Sequence, residues 1–198
     1  GEDWEWAHRA WQSGAVLAHV PEAVAWHDGP DWAGRSAEDR ARDGNLQTLR
    51  LATAIPVDGS RGRGLLTTPP DLVVHLAGSP TPAAAFLCVD AVLAAFPRAT
   101  VVLDGEPSPA LAADPRVRPA GDGIPDARVT LRLDRPVAID GADALAARLA
   151  ALGQGEEGGL EVLSASGEPV GRAESRRARR RAERGNTALG FATGTIVA

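Results

Sequence analysis

Two adjacent carboxylates, Glu2 and Asp3, open the chain within the run G-E-D-W-E-W-A-H-R at residues 1–9. The spacing of Trp4, Ala7 and Trp11 predicts a helix over residues 3–13, with Gly14 where a helix stops. Both carboxylates then sit at a helix amino terminus, where unpaired amides and the helix dipole favour the ionised form. An ionised carboxylate in a cleft can take the proton from an attacking hydroxyl. The plainer alternative is that Asp3 only caps its helix, and spacing by itself favours the cap.

The elements that must carry these residues follow in order. Residues 15–19 and 23–27 read as short extended segments parted by Pro21, and 28–35 as a loop rich in Gly and Pro. Ser36 with Asp39 three residues on resembles a capping box for a polar helix reaching about residue 51. Residues 57–70, rich in Gly, Arg, Thr and Pro, read as a linker. The pattern changes at Asp71: strand over 72–76, apolar helix over 82–96, strand over 100–103. That is a β-α-β unit, which builds parallel sheet. Extended 128–133, helical 142–152, extended 160–164 and helical 174–184 continue the alternation, and 186–198 is a weakly patterned tail. The expected fold is α/β, with a helix and short strands over 1–56 and a Rossmann-like, three-layered, mostly parallel unit over 71–185.

Composition narrows the classes. The chain has 198 residues, 44% of them hydrophobic, enough to bury a core. Its formal net charge of -5 supplies no global basic field, so nucleic acid is not an expected partner. Every lysine-or-arginine position is arginine, in a chain rich in Ala, Gly and Pro, as GC-rich bacterial genomes encode. The single cysteine, Cys88, lies in an apolar stretch and reads as a core residue. No apolar run is long enough to span a bilayer and no signal-peptide pattern opens the chain, so a cytoplasmic location is expected. The abrupt start on an acidic, tryptophan-rich helix reads as part of something longer.

Gly1-Glu2-Asp3, then Glu5, Arg9, Gly14-Ala15, Pro21-Glu22-Ala23 and Trp26-His27, resemble the end of the catalytic domain in family 2 glycosyltransferases of the GT-A fold. The resemblance covers residues 1–28. It implies that Asp3 is the base that deprotonates the acceptor hydroxyl and that Glu2 orients the acceptor. It also implies that His27 helps coordinate Mg²⁺ or Mn²⁺ on the donor diphosphate. Trp4, Trp32 and Arg9 are candidate acceptor-sugar contacts, although the tryptophans could instead pack their helix. The family's nucleotide-binding strands and Asp-x-Asp metal motif do not precede Gly1 in this sequence, so the chain is expected to be inactive alone.

A second, weaker resemblance runs over 72–118. Leu72-Val73-Val74, the stretch from Cys88 to Pro97, Val101-Val102-Leu103-Asp104-Gly105 and Asp114-Pro115-Arg116-Val117-Arg118 resemble a worn copy of the amino-terminal half of the same family. In intact members this is strand, helix, strand, an acidic turn at the nucleoside, and a short strand. Asp140 and Asp143 are one residue too far apart for Asp-x-Asp, and Asp140 can simply cap the following helix. A degenerate, non-catalytic module is the expectation here.

Two signals remain. The glycine-rich 59–64 lacks a leading strand and a following Lys-Ser/Thr, so it fails as a phosphate loop. The arginine run 176–184 reads as a solvated helix face paired with Glu174 and Glu183, or as a contact for phosphates or a peripheral membrane surface. The combined expectation is a fragment of an inverting bacterial glycosyltransferase acting from a nucleotide-sugar donor on a glycan or cell-envelope acceptor. The alternative is a non-catalytic interaction or scaffolding module.

Overall fold

In a computed structural model, the structure describes residues 2–26, 28–29, 34–56, 70–154, 157–185 and 191–195. Glycine 1, His27, Trp32 and the linker residues 57–69 lie outside them. Two helices come first, α1 (Glu2–Gln12) and α2 (Ala37–Ala54). Ser36 caps α2, its side chain accepting from the Asp39 amide at 3.0 Å, as the capping box predicts. Residues 15–26 form no strand: they are largely exposed and pair with no neighbour, and a strand exists only in a ladder.

From residue 72 the chain builds a seven-stranded sheet. Its strands are β1 (Leu72–Leu76), β2 (Thr100–Leu103), β3 (Val117–Pro119), β4 (Val129–Leu133), β5 (Gly159–Leu163), β6 (Pro169–Ser175) and β7 (Phe191–Thr195). They lie in the order β3-β2-β1-β4-β6-β5-β7. All ladders are parallel except those of β6, which runs antiparallel to β4 and β5. The fold is therefore α/β with a Rossmann-like, mostly parallel sheet. β1 is buried along its whole length, as the continuous run L-V-V-H-L demands of an interior parallel strand.

Helices α3 (Pro82–Ala95) and α5 (Ala142–Gln154), with the single turn α4 (Pro109–Ala112) between them in the chain, cover one face. Thr81 caps α3 and Pro82 starts it, a donor-free residue where the amide would lack a helical partner anyway. Cys88, Val89 and Val92 of α3 join Leu145, Leu149 and Leu152 of α5 in a single core over Val74, Leu76, Val101, Leu131 and Leu133. On the opposite face Val73 and Val102 are sealed by Ala127, with Ala120 beside them. Strand alternation turns Thr130, Arg132, Arg172 and Glu174 to that same face. The crossing from β3 to β4 holds only a 3₁₀ turn (Ala120–Asp122), because Pro119, Gly121, Gly123 and Pro125 leave no room for a helix.

Two further boundaries differ from the sequence reading. The expected helix at 174–184 is α6 (Arg176–Gly185), which starts two residues later because β6 runs to Ser175. Gly171 permits that strand, since a side chain there would collide with the Arg132 carbonyl. The expected tail supplies β7, parallel to β5. Arg128 Nε and Nη2 reach Asp71 Oδ1 and Oδ2 at 2.7 and 3.1 Å, a bidentate tie at the amino ends of β1 and β4.

Candidate functional site

The carboxyl ends of β1 and β2 enclose a crevice of about 180 Å³, lined among others by Gly78, Pro80, Leu103, Asp104, Ser108 and Leu111. Open α/β sheets take ligands in such crevices, outside the carboxyl ends of their strands. Asp104 is its fixed charge. His75 of β1 is 7% exposed, and its Nε2 lies 2.6 Å from Asp104 Oδ1. The Gly78 amide donates to Asp104 Oδ2 at 2.8 Å. The hydrogen bond from His75, and after it that from Gly78, hold the Asp104 carboxyl below the usual carboxylate range. Gly78 has φ +80°, which suits glycine and lets the amide face the carboxylate.

A second constellation seats α1 on α6. The Arg177 guanidinium lies 3.6 Å from the centroid of the Trp11 ring. Arg177 Nη2 donates to the Ala15 carbonyl at 3.4 Å. Gly14 has φ +89°, and a Cβ there would stand 2.7 Å from Arg181 Cγ, so the two helices meet at glycine distance. Gln12 is buried beside them, its Oε1 without a hydrogen-bond partner among the described residues. Burial, then the neighbouring Arg181, push the Arg177 pKa down. Burial, then Arg128 and Arg176, push the His8 imidazole down as well, so His8 is disposed to stay neutral in this contact.

Four of the residues expected to do chemistry, Glu2, Asp3, Trp4 and Arg9, stand on α1. Glu2 opens α1, and Asp3 stands exposed in its first turn. Trp4 is 69% exposed, two turns before Trp11 on the same face of α1. Arg9 forms an ion pair with Glu5 one turn away. His27 and Trp32 fall outside the described residues. Asp3, Trp4 and Arg9 line neither the crevice above nor a larger one of about 610 Å³ beside Asp71, Phe96, Arg128 and Leu149.

Among the described residues no three His, Cys, Asp or Glu side chains gather where they could share a cation; His27, the ligand that the resemblance implies, is not among them. Asp140 and Asp143 are both exposed. The arginine run is largely consumed within the chain. Arg176 and Arg179 reach Asp126, Arg180 reaches Glu183, and Glu174 pairs instead with Arg172.

Sequence reasoning missed His75 and Arg177. His75 had one usable signal, a histidine in an otherwise apolar strand whose neighbour strand ends in aspartate. Arg177 had none, being one arginine among several. No described helix is long and apolar enough to cross a membrane. No protein-family model matches the chain, and no curated protein matches it either.

Proposed function

We propose that this chain is part of an inverting bacterial glycosyltransferase, in which Asp3 is the base and the α/β unit is a non-catalytic relative of a nucleotide-binding half. In this reaction Asp3 takes the proton from the acceptor hydroxyl, whose oxygen attacks the anomeric carbon of a nucleotide-sugar donor. The bond to the nucleoside diphosphate breaks as the new glycosidic bond forms, with inversion. The acceptor is a glycan or a cell-envelope saccharide.

The observation that carries the reading is the order β1, α3, β2, the Asp104-Gly105 turn and β3, the succession that the resemblance over 72–118 implies. The exposed first turn of α1 supports it too, since an acceptor hydroxyl can reach Asp3 there. Both Asp104 oxygens are engaged within the chain, which favours a structural rather than a ligand-gripping turn.

Calorimetric titration of the chain with UDP-, GDP- and dTDP-linked sugars tests the non-catalytic assignment. Negligible binding is expected. A Kd tighter than about 10 µM, roughly -7 kcal/mol, contradicts it.

A second reading has its own observation: Asp3, Trp4 and Arg9 line neither of the two crevices described above. In a scaffolding module the Glu2-Asp3 pair is only helix chemistry, and Asp3→Asn changes stability by about 1 kcal/mol and nothing else.

A further inference from the structure

We propose that Arg177 is a positioning residue: through it, α6 of the α/β unit sets where α1, and with it Asp3, stands. The role in transfer rests on the glycosyltransferase reading above; the contact itself does not.

Arg177 is 5% exposed, and a buried guanidinium is retained only where its charge is compensated. Here the compensation comes from α1. The Trp11 ring offers its π face at 3.6 Å, and the Ala15 carbonyl accepts just beyond the end of the helix. That end carries the negative pole of the helix dipole, which favours a cation. Gly14 brings the backbones together. Of the other arginines of α6, Arg181 lies against Gly14, whereas Arg176 and Arg179 reach Asp126 and Arg180 reaches Glu183.

All these contacts sit at the carboxyl end of α1, whereas Asp3 sits at its amino end. Eight residues of helix separate Asp3 from Trp11, about 12 Å at the usual rise. A helix held at one end acts as a lever, so a small tilt at Trp11 displaces the carboxylate. Misplacing a reacting group by about 1 Å can cost about 100-fold in rate.

The experiment uses the complete gene product and compares Arg177→Ala, Trp11→Leu, the double variant, Arg177→Lys and Asp126→Asn. Transfer kinetics are read together with amide hydrogen exchange in α1. Each single variant should lower kcat by about 10- to 100-fold with donor KM unchanged, and the double variant should be no worse than the poorer single one. Arg177→Lys should recover part of kcat, because an ammonium can still face the ring. Asp126→Asn should leave kcat unchanged.

Exchange should quicken across α1 in Arg177→Ala while β1, β2 and β4 stay protected; loss of protection throughout means unfolding, and Trp11→Leu then carries the test. An unchanged kcat, or effects that multiply in the double variant, overturns the proposal. If Asp3→Asn transfers normally, the glycosyltransferase reading falls and Arg177 loses its role in transfer with it. The exchange data then still decide whether Arg177 holds α1.

Discussion

His75 Nε2 lies 2.6 Å from Asp104 Oδ1, tying the interior of β1 to the residue that follows β2. The same carboxylate accepts from the Gly78 amide, so one side chain fixes the mouth of the crevice. Asp104→Asn should cost about 1 kcal/mol at pH 7, a modest figure because the carboxylate is partly in water.

The pH dependence follows from the direction of the Asp104 shift. Its folded pKa is lowered, so the stabilisation is fully present above the ordinary carboxylate value and is lost as pH falls through the folded one. The gap in Tm between wild type and Asp104→Asn should therefore narrow on acidification below about pH 4. Circular-dichroism melts across that range measure it, and a gap independent of pH would count against the tie.

The Asp71–Arg128 pair fastens the amino ends of β1 and β4 on two short hydrogen bonds. Arg128 is largely buried, so removing its partner strands a charge. Asp71→Ala should destabilise the protein by about 3 kcal/mol in urea titration. A loss below about 0.5 kcal/mol would place the pair with ordinary surface ion pairs instead.

Gly14 answers for the closeness of α1 and α6. A side chain there must both adopt φ +89° and displace Arg181, so Gly14→Ala should cost about 1–3 kcal/mol of local stability. Hydrogen exchange should show α1 released while the sheet keeps its protection. Unaltered α1 protection in this variant would mean that the helices do not need this contact.

The legible parts of the fold are those where local chemistry and tertiary demand agree. The run at 72–76, the Thr81-Pro82 start of α3 and the Ser36 cap all declare themselves, because each local preference is also the one the fold requires. Strand β6 was illegible: Pro169 and Gly171 speak against a strand, and only pairing on both sides by β4 and β5 overrides them. The 120–128 crossing carries a 3₁₀ turn in place of a helix, and its Pro and Gly residues were visible in the sequence. Asp104 was singled out by its place after β2, whereas His75 was not, because the partnership spans 29 residues and exists only once β1 and β2 pair.

The most direct test of the account is sugar transfer by the complete gene product carrying Asp3→Asn, with nucleotide-sugar donors and a saccharide acceptor. As the base, Asp3 should be worth about 10²–10⁴-fold in kcat, with donor binding and melting temperature little changed. Transfer at the wild-type rate, with only the small stability loss of a carboxylate removed from the first turn of a helix, would contradict it.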